Sequence, residues 1–299
     1  MSTLAPPPPP HPTEPSTHVH VPHSEAKPGR QNYNSTPGRF HFALRRIHSL
    51  MGIVFGGYIA VHLSVNASGL SPEAYQGYVD HIHGLEPALP ALELIAIFIP
   101  LLVHIVYGLY IAFAGVKFNT TRYNYGGNLR YTLQRWTAVV LLAFIAFHVG
   151  TLHKWGLTGI HNIIEQFDKL PNPVPEDAKL DVMQRFSQWC YESGGQFNPH
   201  DAYGSTVGGV RHYFYDQDNP SRLGFKNYAV WAFYLLGIWS ATFHFANGLW
   251  TAAIAWGLTT TARAQKRWGN VCLVFFIAMT LLGTIAWLAF TVLAKDPTV

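Results

Sequence analysis

The sequence predicts an all-α membrane protein with five transmembrane helices, and three observations carry that prediction. Hydrophobic residues make up 49% of the 299 positions and charged residues only 12%, a balance that suits a lipid solvent better than water. Five stretches are long, apolar and nearly free of charge. Lys and Arg gather beside those stretches rather than on a soluble face, so the formal charge of +4 reads as membrane topology and not as nucleic-acid binding.

The segment 1–39 opens with the run Pro6 to Pro10 and holds almost no large apolar side chains, which predicts a disordered, cytoplasmic tail. His18, His20 and His23 alternate there, but a flexible tail offers a metal no preformed geometry. The first span is expected from 47, just after Arg45 and Arg46, because no Asp, Glu, Lys or Arg occurs between 47 and 72. Further spans are expected at about 92–116, 131–153, 228–258 and 269–293. In domain terms, 40–153 carries helices I to III, 154–227 an outer, periplasmic loop subdomain, 228–294 helices IV and V, and 295–299 a short tail.

Basic residues orient the spans. Arg45 and Arg46, then Lys117, Arg122 and Arg130, then Arg263, Lys266 and Arg267 flank one side, while the link between I and II carries Glu73, Asp80 and Glu86 without Lys or Arg. The positive-inside rule then puts the N-terminus in the cytoplasm. Cys190 and Cys272 fall on opposite sides, so no disulfide is expected, and no C-x-x-C-H segment exists to attach a haem covalently.

Histidines carry the chemistry. His62, His104, His148 and His244 each sit within a charge-free apolar run, one on each of four successive helices. A lone intramembrane histidine is more often a packing or relay residue. Four, on four helices, match two non-covalent b-type haems, since a bis-imidazole iron takes its ligands from two facing helices. Gly108 and Gly248, four residues after His104 and His244, with Gly52, Gly56 and Gly57 on helix I, offer side-chain-free patches where a flat macrocycle could lie. Arg45, Arg46, His48, Ser49, Gln134 and Arg135 are candidate donors to haem propionates. Asn247, Trp250 and Tyr107 could orient ligands or propionates. The outer subdomain shows no catalytic constellation: His161, His200 and His212 lack ligand spacing.

In that order, RRIHSLMG, HLSVN, IPLLVHIVYGLYIAF, YTLQRW, FHFANGLWTAAIAWG and TARAQKR resemble the di-haem cytochrome b membrane anchor of succinate:quinone oxidoreductases, succinate dehydrogenases and fumarate reductases with one large anchor subunit. The resemblance implies that His62 and His148 hold the outer haem and His104 and His244 the inner one. Depth alone does not yield that pairing, because distances from the nearest basic flank put His104 and His148 at similar levels unless Arg135 is intramembrane.

The resemblance further implies flavoprotein and iron-sulfur subunits docked on the cytoplasmic face of a bacterial inner membrane, with succinate chemistry on those subunits and no catalytic residue for it in this chain. Electrons would reach a quinone, menaquinone by family analogy, near the outer haem, in a complex that could form a higher oligomer. Candidate carboxylates and imidazoles for quinol protons are Glu73, Asp80, His81, His83, Glu86 and Glu93. Two competitors are a cytochrome b anchor of a hydrogenase or formate dehydrogenase, docked on the outer face, and a haem-free transporter or channel with a histidine relay.

Overall fold

In the computed structural model, every regular element among the described residues is helical. Those residues are 36–114, 126–153, 156–170, 179–194, 197–214 and 225–294. The proline-rich tail before 36, the II–III link at 115–125 with Lys117 and Arg122, and the 295–299 tail lie outside them.

Helix α1 runs Thr36–Ala67, α2 Pro72–His83 and α3 Leu89–Glu93. A π-helical turn, Leu94–Phe98, joins α3 to α4 at Ile99–Ala114. Then come α5 (Gly126–Leu152), α6 (Leu157–Phe167), α7 (Val182–Ser193), α8 (Ala202–Phe214), α9 (Phe225–Ala255) and α10 (Ala262–Phe290).

Five of these segments are long and apolar enough to cross a membrane: 40–70, 89–112, 128–152, 228–255 and 262–290. The chain is a multi-pass helical membrane protein. Length and apolarity select the helix, because inside a bilayer only a structure that satisfies its own backbone is tolerated. The helices start earlier than the charge-free runs do. α1 carries Arg45 and Arg46 inside it, and α5 begins five residues before Tyr131 and carries Arg130 and Arg135. A helix of 32 residues, α1, is about 48 Å long at about 1.5 Å per residue, longer than a hydrocarbon core of about 30 Å. Its basic end therefore extends into the headgroup region.

The links at the opposite end are ordered as helices rather than loops. α2 begins at Pro72, with the Ser71 side chain accepting the Ala74 N–H at 3.2 Å, and buries Tyr75 and Val79 one turn apart. Gln76 fastens it to α8, donating to the Pro199 carbonyl at 2.7 Å and accepting from the Ala202 N–H at 2.7 Å. The tightest core lies at this end, where Tyr75, Phe144, Val207, Tyr234, Ile238 and Phe290 bring α2, α5, α8, α9 and α10 together. Through the membrane, α9 packs closely between α5 and α10.

Candidate functional site

His62 lies on α1, His104 on α4, His148 on α5 and His244 on α9. The fold brings them together in twos. The rings of His62 and His148 have centres 5.8 Å apart with planes at 83°, and those of His104 and His244 are 6.1 Å apart at 81°. We call the pair near Arg45 and Arg46, His104 with His244, the proximal pair, and the pair near the C-terminal ends of α1 and α5 the distal pair. Among the described residues, no group of three or more His, Cys, Asp or Glu gathers as for a bare metal ion.

Each imidazole has a partner at Nδ1. His104 Nδ1 lies 3.0 Å from the backbone carbonyl of His48 on α1. His244 Nδ1 lies 3.2 Å from Thr137 Oγ1 on α5, and His148 Nδ1 lies 3.0 Å from the Tyr234 hydroxyl on α9. His62 Nδ1 has only its own helix, with the Tyr58 hydroxyl at 3.4 Å and Asn66 Nδ2 at 3.5 Å. Such bonds fix ring orientation and leave Nε2 available to ligate a metal.

This arrangement fits a six-coordinate iron held by two imidazoles. With metal–nitrogen bonds of about 2 Å, two Nε2 ligands on opposite sides of one metal put their ring centres about 6 Å apart. Both pairs meet that distance. His48 does not compete for the role: its ring stacks on His104 at 4.0 Å and 11°, so the two cannot oppose each other across a metal. The buried Nδ1 of His48 has no hydrogen-bond partner, an orphan polar atom beside the proximal pair that an anionic propionate would satisfy.

Two glycines seat the proximal rings directly. A Cβ on Gly52 would stand 2.6 Å from His104 Cε1, and one on Gly108 would stand 3.2 Å from His48 Cε1. Gly56 receives the Phe245 ring, whereas positions 57 and 248 face open space or only the tip of Gln134. The glycines expected to form flat patches thus divide: Gly52, Gly56 and Gly108 hold rings, and Gly57 and Gly248 stay open.

The six propionate candidates also divide. His48 touches the proximal pair, and Gln134 Nε2 donates to the His244 carbonyl at 3.1 Å while its Oε1 accepts from Asn247 at 2.8 Å. Arg46 stacks over Phe42 at 3.8 Å, with Trp256 at 5.7 Å. Ser49 accepts from Trp256 Nε1 at 3.3 Å, Arg135 donates to the Tyr131 hydroxyl at 2.8 Å, and Arg45 is exposed. Of the expected orienting residues, Asn247 acts through Gln134. Tyr107 donates to the His41 carbonyl at 3.4 Å, and Trp250 donates to the Gln265 carbonyl at 3.1 Å.

Among the six quinol-proton candidates, five lie on α2 or just after it. Glu73 accepts from Ser71 at 2.8 Å, Asp80 from Gln76 at 2.8 Å, His81 contacts the Gly77 carbonyl, and His83 meets Glu86 at 3.4 Å. Glu93 differs. It is half-buried within a membrane-crossing segment, it immediately precedes the π-helical turn, and its carboxylate lies within electrostatic reach of Tyr58, the partner of His62. Tyr234, Thr137 and Tyr58 were not among the sequence candidates. The one signal for them is a hydroxyl at helical spacing from a histidine, legible for Tyr58 four residues before His62 but not across helices.

The comparison with known proteins decides the family. The chain is 30% identical over 255 residues, 85% of its own length and 98% of the relative's, to the succinate dehydrogenase cytochrome b558 subunit of Bacillus subtilis (strain 168). It belongs to the family of succinate dehydrogenase cytochrome b subunits. This cytochrome b subunit matches no family model and no solved structure. A stretch of 255 out of 299 residues necessarily includes 45–255, so all four histidines stand within the matched part of the chain.

Proposed function

We propose that this chain is the membrane anchor of a succinate dehydrogenase complex, holding two b-type haems between flavoprotein and iron-sulfur partners at its Arg45/Arg46 end and a quinone at the other. The observation that carries the proposal is the pairing of four intramembrane imidazoles at ring separations of 5.8 and 6.1 Å, each with Nδ1 engaged. His62 with His148 would hold one haem and His104 with His244 the other. When bound, haem b supplies one-electron relay sites across the apolar span.

The chain's own residues position and tune. The His48 carbonyl, Thr137, Tyr234 and Tyr58 set the ring orientations, and the His48 side chain offers a donor for a propionate. The positive-inside rule supports a cytoplasmic Arg45/Arg46 end, and the family resemblance a bacterial inner membrane, with the soluble partners docking at that end.

Quinone reduction consumes two electrons and two protons, so a proton-holding group is needed beside the distal pair. Glu93 is that group in our reading, because it alone of the six candidates lies within a membrane-crossing segment, 89–112. Menaquinone is the quinone that the family resemblance favours.

The test is haem quantification and a reduced-minus-oxidised visible spectrum on the purified complex, in wild type and in four single His→Ala variants. Two b-type haems per chain, with one lost in each variant, is the expected result. A chain without haem would leave a histidine relay instead. For the quinone site, Glu93→Gln should abolish succinate-driven quinone reduction while reduction of an artificial acceptor at the soluble subunits persists. Glu73→Gln should leave both intact.

A further inference from the structure

The hairpin of α6 and α7 is built inside out for water. Its two helices pack on each other, and their interface holds small and polar groups: Ser187 and Cys190 are fully buried, and His161 Nδ1 lies 3.0 Å from Ser187 Oγ and 3.2 Å from the Ser187 carbonyl. Gly194 presses against Thr158, where a Cβ would stand 2.3 Å from its hydroxyl. The large apolar side chains point away. On α6, Ile160, Ile163 and Phe167 recur at helical spacing, and Phe167 is 85% exposed. On α7, Val182, Phe186 and Trp189 do the same, Val182 being 78% exposed and Phe186 stacked on Trp189 at 5.9 Å.

The two stripes share an end. Gln184 at the start of α7 donates to Asp168 just past α6 at 3.1 Å, which sets Phe167 and Val182 at the same tip.

The root of the hairpin fixes its height relative to the bilayer. The Gly156 N–H bonds the His153 carbonyl at 2.8 Å, and a Cβ on Gly156 would stand 2.3 Å from the Gly150 carbonyl oxygen and 2.4 Å from that of Val149. Both carbonyls belong to the segment of α5 that crosses the membrane, 128–152. The chain thus folds back on the last membrane-embedded turn of α5 before α6 begins at Leu157. At about 1.5 Å per residue the 11 residues of α6 are about 17 Å long, so the hairpin starts at the interface and cannot rise far from it unless it stands upright.

We propose that the α6–α7 hairpin is an interfacial membrane-binding element, its Phe167, Phe186, Trp189 and Val182 stripes seated at the headgroup–acyl boundary of the leaflet at the α5 C-terminal face. Its occupant is lipid, because the hairpin is rooted on the Val149 and Gly150 carbonyls at the end of a membrane-crossing segment and because its exposed stripes are aromatic and aliphatic. Between 157 and 193 the chain carries six acidic residues against three basic ones, so the binding is apolar partitioning and gains nothing from anionic lipid. This holds whatever the four histidines bind.

The experiment uses the purified complex in vesicles carrying a nitroxide on the upper acyl chain. An environment-sensitive fluorophore is placed at Phe167→Cys, Phe186→Cys, Asn162→Cys or Glu192→Cys, with the unsubstituted chain as background for Cys190 and Cys272. The expected result is quenching several-fold stronger at 167 and 186 than at the exposed positions 162 and 192, and no stronger in anionic than in zwitterionic vesicles. Equal weak quenching at all four positions, with strong quenching by aqueous iodide, puts the hairpin in water and overturns the proposal. Labels at 167 and 186 shielded from nitroxide and iodide alike mean that protein covers the stripes, which overturns it too. Phe167 is mostly exposed, so its substitution leaves the fold intact.

Discussion

The proximal and distal histidine pairs span the same kind of helix contact but are held differently. In the proximal pair both rings are anchored from another helix, His104 by the α1 backbone and His244 by Thr137 of α5. In the distal pair only His148 is so anchored, by Tyr234, while His62 relies on 3.4 and 3.5 Å contacts within α1. The α5 and α9 helices brace each other reciprocally, each supplying a hydroxyl to the other's histidine. The loose member, His62, is the one beside Tyr58. In the proposed function, the pair fixed on one side and polar on the other would lie at the quinone end, and the pair fixed on both sides would serve electron relay alone.

The strongest way to break the comparison is to remove two histidines at once. Haem per chain should fall from two to one in His62→Ala/His148→Ala and in His104→Ala/His244→Ala, and to none in His62→Ala/His104→Ala. Loss of both haems in the first two variants would dissolve the pairing.

Overpacking comes next. Gly52→Ala drives a methyl to within 2.6 Å of His104, and Gly237→Ala drives one to within 2.3 Å of Phe144, which stacks on His148. Such overpacking costs about 1–3 kcal/mol. The low-spin electron paramagnetic resonance signal of the proximal site should change in the first variant, that of the distal site in the second, each without the other.

Hydrogen-bond deletions sharpen the contrast further. Tyr234→Phe removes a bond worth about 1 kcal/mol at a buried site and should shift the distal midpoint potential alone in a redox titration. Tyr58→Phe removes a 3.4 Å contact and should shift that same potential least. A larger shift from Tyr58 than from Tyr234 would reverse the assignment of tight and loose members.

Some of this was legible in the chain. The four histidines, the five spans and His48 were visible because an ionisable ring in an apolar run stands out on a single line of sequence. The pairing of His62 with His148 and of His104 with His244 came through the family resemblance and not from the residues' own depth. Depth counted from basic flanks fails because Arg130 and Arg135 lie inside α5, which starts at Gly126, so the flank does not mark the helix start. Glu93 was one of six candidates, and only the fold moved the other five onto or just past the surface helix α2. The segment 154–227, expected as an outer loop subdomain with no helices assigned, contains α6, α7 and α8, whose short amphipathic patterns are outweighed in sequence by Gly, Pro and Asp.

By itself the sequence determined the solvent of this protein and the number of its crossings, since backbone groups in lipid must bond within their own helix and long uncharged runs leave no other solution. It also determined which four imidazoles lie in that solvent. Only the tertiary structure decided which of them face each other and what holds their rings. Those contacts join residues as far apart as Thr137 and His244, 107 positions along the chain, and depend on where each helix begins and which neighbour it packs against. Helix register carries that information, and no local stretch of sequence contains it.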